Sequence, residues 1–183
     1  GILASFELRD ELRADAVQAI DELRALGLEI EILSGDAVGA VHRVAGQLGI
    51  DLARSGMRPD DKLARVRELQ AAGHLVAMIG DGVNDAPVLA GASVSIAMGQ
   101  GAQLAHASAD MVVLSERLTV LADGVRKARA TRRIIKQNLT WAILYNISAV
   151  PLAAAGLVAP WMAAIGMSFS SLVVVFNALR LKA

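Results

Sequence analysis

The chain has 183 residues, 55% of them hydrophobic and 20% charged, enough for one full domain with a smaller part beside it. Its 18 basic and 18 acidic residues cancel to a formal net charge of zero, which gives no electrostatic case for nucleic acid as a partner. The absence of cysteine excludes disulfides and thiolate metal sites within these residues.

Residues 1–10 carry no basic region followed by a long apolar run, so no signal peptide is expected; opening at Gly1 on an apolar segment reads as a start inside a larger domain. A helix is predicted over residues 14–26, closed by Gly27. Leu28, Ile30 and Ile32 then alternate with Glu29 and Glu31 and lead through Leu33 into Ser34-Gly35-Asp36, the pattern of a strand ending in a polar loop. Residues 37–48 and 60–72 predict two further helices, closed by Gly49 and Gly73, with Pro59 at the tolerated start of the second. Residues 75–79 predict a strand that runs into Gly80-Asp81-Gly82, and residues 94–97 and 111–114 predict two more. Alternating strands and helices imply an α/β fold with a parallel, doubly wound sheet. Such sheets bind ligands at the C-terminal ends of their strands, where these polar loops stand.

Residues 126–136 then hold six basic side chains and no acidic one, and residues 138–179 hold no charge at all. Pro160 and Trp161 divide the apolar part into two runs of about 20 residues, each long enough to cross a hydrocarbon core of about 30 Å. The expectation is a transmembrane helical hairpin over residues 138–180, a basic cytoplasmic linker helix over 124–137, and a soluble domain over 1–123. Arg132, Arg133 and Lys136 before the hairpin and Arg180 and Lys182 after it put both ends on the cytoplasmic side.

Three loops of the soluble part carry chemistry. In Gly80-Asp81-Gly82-Val83-Asn84-Asp85-Ala86-Pro87, Asp81 and Asp85 offer two carboxylates to one hard cation such as Mg²⁺, and Asn84 adds a neutral group able to reach a phosphoryl oxygen. Ser34-Gly35-Asp36 offers a hydroxyl and backbone N–H groups at a strand end. Lys62, just after Pro59, supplies a compact positive charge for a transferring phosphoryl group. Taken singly, a Ser-Gly-Asp loop is an ordinary turn and a helix lysine is solvated; in this order they form a set.

The succession Asp10-Glu11-Leu12-Arg13, Leu33-Ser34-Gly35-Asp36, Pro59-Asp60-Asp61-Lys62 and the eight-residue string from Gly80 resembles the second half of the phosphorylation domain of P-type ATPases. That domain has a haloacid-dehalogenase-like, Rossmannoid fold and is followed in the family by the last transmembrane helices. The resemblance implies that Ser34 and Gly35 hold the phosphoryl group, that Lys62 stabilises its charge, and that Asp81 binds Mg²⁺ with Asn84 and Asp85, ATP being the substrate of the complete pump. The family's Asp-Lys-Thr-Gly-Thr string, its nucleotide-binding domain, its Thr-Gly-Glu loop and its cysteine-containing membrane motif do not occur in these residues. The expected partners are therefore the N-terminal part of the pump, without which the chain is inactive, and membrane lipid; a metallochaperone, for copper if the ion is Cu⁺, is the further partner that the resemblance implies.

For the ion, Tyr145-Asn146 with Pro151 in the first apolar run, and Met167 with Ser170 and Ser171 in the second, are the polar and soft groups available. An amide in lipid needs a partner, and a thioether suits Cu⁺ better than a hard cation. Each also has a packing role open to it, Pro151 as a kink, the serines as small interface residues and Met167 as a gap filler. The combination resembles the copper subgroup of the metal-transporting ATPases; zinc, cadmium and lead exporters tend to carry a Lys and an Asp in these spans. The expected function is translocation of Cu⁺ across a bacterial inner membrane through Tyr145, Asn146, Met167 and Ser171. The alternatives are a zinc or cadmium pump, a membrane-anchored phosphatase of the same fold with Asp10 or Asp36 as nucleophile, and a split or non-catalytic subunit. His42, His74 and His106 read as surface or helix-end residues.

Overall fold

The computed structural model describes residues 11–80, 85–99, 109–115 and 117–181. Apolar positions at helical spacing bury Ala16, Ala19 and Leu23 on one side of α1 (Ala16–Ala25). There follow β1 (Glu31–Leu33), α2 (Val38–Gln47), β2 (Leu52–Arg54), α3 (Pro59–Ala71), β3 (Ala77–Gly80), α4 (Ala86–Gly91), β4 (Val94–Met98) and β5 (Met111–Val113). The first three helices end as the sequence predicts. Gly27 and Gly49 take φ of 74° and 62°, and the next residue's N–H reaches back into the last turn, from Leu28 to Leu23 O at 3.2 Å and from Ile50 to Ala45 O at 2.8 Å. Pro59 opens α3, where Arg58 N donates to the Asp61 carboxylate at 2.9 Å.

All strand pairs are parallel, as expected, but the described residues form two ladders rather than one sheet. β1 pairs with β2, Glu31 opposite Leu52, and β3 pairs with β4, which pairs with β5. Neither β1 nor β3 has a partner on its other flank among the described residues. β2 escapes the sequence reading because Leu52-Ala53-Arg54 offers only one large apolar residue, and α4 because it starts inside the string read as a loop. Ser95 fastens β4 to the start of β5: its N–H and its hydroxyl both donate to the Asp110 carboxylate at 2.8 Å, and Asp110 N donates back to its Oγ at 2.9 Å. The backbone N–H and then the hydroxyl of Ser95 hold the Asp110 carboxyl below the usual range.

The core of this first unit, residues 1–122, is small. Among its described residues Val66 of α3 and Val88 and Leu89 of α4 are the largest fully buried side chains. Gly91 lets α4 approach α3 so closely that a Cβ there would overlap the Leu63 side chain.

α5 (Thr119–Ala154) is a single helix that contains both the basic run and the first apolar run. At its N-terminus Thr119 N donates to the Asp15 carboxylate at 2.9 Å, satisfying one of the orphan donors of a helix start. At the other end Pro151 lies within the last turns, and the chain leaves through Gly156 (φ 74°), with Leu157 N reaching Leu152 O at 3.1 Å. α6 (Pro160–Leu179) follows. Within this second unit the two helices are joined by hydrogen bonds: Trp141 Nε1 donates to Ser170 Oγ at 3.1 Å, and Asn177 Nδ2 donates to Asn138 Oδ1 at 2.8 Å.

Two long helices thus form where two spans are expected, but among the described helices only α6 is long and apolar enough to cross a membrane. The apolar part of α5 is cut to residues 138–154 by the helix end after Pro151, and it carries Asn138, Thr140, Tyr145, Asn146 and Ser148. Both helices nonetheless expose large apolar side chains, among them Ile147, Val150, Ile165, Phe169 and Phe176, each more than 60% accessible.

The packing makes a stability prediction. Leu89→Ala, at a site with no accessible surface, should cost about 2–5 kcal/mol, whereas Leu75→Ala, at 92% exposure, should stay within about 0.5 kcal/mol. Urea unfolding of the detergent-solubilised chain, read by hydrogen exchange in residues 59–98, measures both; equal effects would contradict the assigned core.

Candidate active site

Ser34 extends β1 by one hydrogen bond, its N–H donating to Arg54 O at 2.9 Å. The loop it opens is then zipped to the loop after β2: Met57 N donates to Ser34 O and Gly56 N to Asp36 O, both at 2.9 Å. A Cβ on Gly35 would come 3.3 Å from Met57 O, so the residue type follows from this close approach. The Ser34 hydroxyl donates to Asp36 Oδ2 at 2.8 Å and accepts from Asp36 N at 3.2 Å, which turns the loop and fixes the hydroxyl. Gly35 and Asp36 are exposed, so the backbone between the two strand ends is open to an anion.

Lys62 stands in the first turn of α3, directly after this second loop. Its ammonium donates to Asp85 Oδ1 at 2.8 Å, with only 13% of the lysine and 16% of the aspartate side chain exposed. Asp85 precedes α4, and its other oxygen lies against Gly80 at the end of β3, 3.2 Å from where a Cβ would stand. The pair therefore ties the start of α3 to the end of β3, and it places one positive and one negative group at the C-terminal ends of parallel strands.

The helix that carries Lys62 is also held by a second set of ions, of which the sequence shows Glu31 only as part of a strand alternation. Glu31 on β1 accepts from Arg65 of α3 through both carboxylate oxygens, Nε at 3.1 and 3.2 Å and Nη2 at 3.0 Å, and also from Arg54 Nε of β2 at 2.8 Å. Glu31 is three residues before Ser34, and Arg65 is three after Lys62, one turn along the same helix. Burial would raise the Glu31 carboxyl, but the hydrogen bonds and charges of Arg65 and Arg54 outweigh it and hold the group below its ordinary value. Arg65 is shifted upward by the same contacts, with Glu68 assisting. A pairing signal was present in the sequence, an acidic residue in a strand and a basic one a turn after Lys62, but only the fold shows that they meet.

Among the predicted residues, then, Ser34, Gly35 and Asp36 share one loop, and Lys62 meets Asp85. Asp81 and Asn84 lie outside the described residues. Among the described residues no group of three or more His, Cys, Asp or Glu gathers for a metal. Asp85 contributes one hard oxygen donor of the kind Mg²⁺ accepts, on a carboxylate already shared with Lys62.

In the second unit, Tyr145 and the other predicted ligands separate. The Tyr145 hydroxyl lies against Gly166, 2.8 Å from where a Cβ would stand, between α5 and α6. Asn146 Nδ2 donates to Ala142 O at 2.8 Å and Ser171 Oγ to Met167 O at 3.0 Å, each within its own helix. Asn146 and Ser171 are exposed and Met167 is 65% accessible. No hydrogen bond joins Asn146 to the Met167–Ser171 turn.

The Glu31 clamp predicts a pH effect. Because its folded pKa is depressed, its contribution is present above the ordinary value of 4.5 and is lost as pH falls through the folded value. Glu31→Gln should destabilise by about 1–3 kcal/mol at neutral pH and converge with wild type well below pH 4.5. Hydrogen exchange of residues 31–36 and 59–71 against urea at the two pH values checks this.

Residues 2–93 match a family model described as haloacid dehalogenase-like hydrolase, and residues 63–128 match a second model of the same description. The chain is 43% identical over 182 residues to the copper-exporting P-type ATPase of Staphylococcus aureus strain JH9, an alignment that takes in 100% of this chain and 22% of the relative. It therefore spans about a fifth of the length of the curated relatives it matches. A zinc-transporting PIB-type ATPase solved in its E2.Pi state superposes with a TM-score of 0.89 at 38% identity, over 94% of this chain and 28% of that one. The cobalt-bound deoxy-D-mannose-octulosonate 8-phosphate phosphatase of Haemophilus influenzae shares the fold, with a TM-score of 0.59 at 21% identity over 68% of this chain and 77% of that one. The chain belongs to the haloacid dehalogenase-like hydrolase family, and within it is homologous along its whole length to part of the heavy-metal P-type ATPases.

Proposed function

We propose that this chain is the phosphate- and Mg²⁺-binding portion, with two membrane helices, of an ATP-driven pump that translocates Cu⁺ through a phospho-aspartate intermediate. The observation that carries it is the Lys62–Asp85 pair, which draws the start of α3 to the end of β3, α3 following the loop that is bonded to Ser34 and Asp36. β1 and β3 each have one flank without a partner among the described residues, and a strand bearing the phosphorylated aspartate fits between them. Ser34 and Gly35 would then receive the phosphoryl oxygens from one side and Lys62 would neutralise their charge from the other. Mg²⁺ would be held by Asp81 with Asn84 and Asp85, and when bound it supplies further charge neutralisation at the phosphoryl group.

The transport path is read from α5 and α6. With no charged residue over 138–179, the donors available are neutral, and Met167 offers the soft thioether that favours Cu⁺. Their exposure in this unit supports a site that takes its remaining ligands from other parts of the pump. The identity to copper-exporting relatives supports copper, while the superposition on a zinc-transporting structure keeps Zn²⁺ as the second reading. In this proposal α5 and α6 lie in a bacterial inner membrane with both ends of the hairpin cytoplasmic, which the basic residues on its two outer sides favour.

In the complete pump, Met167→Ala and Asn146→Ala should each abolish Cu⁺-stimulated phosphorylation from ATP while phosphorylation from inorganic phosphate persists. Stimulation by Zn²⁺ but not Cu⁺ in the wild type would select the second reading, and an unchanged Cu⁺ response in both variants would remove these residues from the path.

A further inference from the structure

Along one side of α5 a surface groove is lined first by Arg129, Arg132, Arg133 and Lys136 and then by Trp141 and Leu144. The two ends differ in chemistry. Arg132 and Arg133 are adjacent exposed cations that flank the groove, Lys136 stands one turn further on at i+4 and i+3 from them, and residues 126–136 hold no acidic side chain. Trp141 is 38% exposed, its ring held in place by the hydrogen bond to Ser170, and Leu144 beyond it is 57% exposed. From Arg129 to Leu144 the groove runs about 22 Å along the helix, and its character changes from cationic to apolar within that length.

We infer that this groove binds an anionic phospholipid, its headgroup phosphate on Arg132, Arg133 and Lys136 and the upper part of an acyl chain along Trp141 and Leu144. A soluble phosphate would use the cationic end alone and leave the apolar end unexplained. A polynucleotide is disfavoured by the zero net charge and by the same apolar end. An amphiphile with one anionic head matches both ends, and an indole at the boundary is where amphipathic rings settle in bilayers. A second groove on the same unit is lined by Lys127 and Arg133 of α5, by Arg126, itself paired to Asp123 at 2.7 Å, and by Arg180 at the end of α6. The site goes beyond the orientation of the hairpin, which requires only that basic residues lie on one side. It rests on the membrane reading proposed above.

The test uses the full chain in nanodiscs of phosphatidylcholine with and without phosphatidylglycerol, with the co-purified lipid counted by native mass spectrometry. Phosphatidylglycerol should be enriched on the order of tenfold or more over its bulk fraction. Arg132→Gln, Arg133→Gln and Lys136→Gln combined should bring it to parity at unchanged helix content, whereas Arg132→Lys with Arg133→Lys, which keeps the charges, should retain it. Incorporation with no preference for phosphatidylglycerol would overturn the site and leave the membrane reading standing. Failure to incorporate into either bilayer would overturn that reading and the site with it. Displacement of the lipid by millimolar inorganic phosphate would reassign the groove to a soluble anion and overturn the inference.

Discussion

The ion pair between Lys62 and Asp85 is the contact on which the rest of the site depends. It is short, mostly shielded from solvent, and spans 23 residues of chain, joining a helix that follows one parallel ladder to a loop that follows the other. A buried pair of this kind is weak evidence for net stability, because desolvation offsets much of the attraction, but removing one partner strands a charge and is costly. Its value is therefore specificity of position. With the two charges matched, α3 and the end of β3 can be held in one arrangement, and α3 itself follows the loop that Gly56 and Met57 bond to Asp36 and Ser34.

The Glu31–Arg65 clamp has the same logic one turn away. Lys62 has a flexible stem and would otherwise sample many positions. Arg65 is on the same helix and is gripped through two oxygens by a residue of β1, so the helix that carries Lys62 is fixed in rotation against the strand that carries Ser34. The α3–α4 contact through Val66, Val88, Leu89 and Gly91 supplies the apolar backing. Chemistry and packing thus share one helix.

Much of this was legible beforehand, for identifiable reasons. The helix ends at Gly27 and Gly49 follow from backbone conformation alone, and the parallel pairing follows from strands alternating with helices. The Ser34 loop is visible because polar and glycine residues interrupt an apolar run, and Lys62 because it follows Pro59 at a helix start. What was not legible was pairing at a distance: Glu31 with Arg65, Asp15 with Thr119, and Ser95 with Asp110 are separated by 34, 104 and 15 residues. Hydropathy also does not show that the helix of the first apolar run closes after Pro151. Tyr145 and Asn146 are adjacent in the string that resembles the copper subgroup, yet neighbours on a helix point about 100° apart, and Tyr145 lies against Gly166 while Asn146 bonds to Ala142 O of its own helix.

The central claim is that Lys62, held by Asp85, supplies the positive charge at the phosphoryl group. The most direct measurement is phosphoenzyme formation from ATP and Mg²⁺ by the complete pump carrying Lys62→Ala, with Lys62→Arg and Asp85→Asn alongside. The account predicts a loss on the order of 10²-fold or more for Lys62→Ala at retained ATP binding, the scale of removing one preorganised charge donor, with partial activity in Lys62→Arg. Phosphoenzyme formation at the wild-type rate in Lys62→Ala would contradict it.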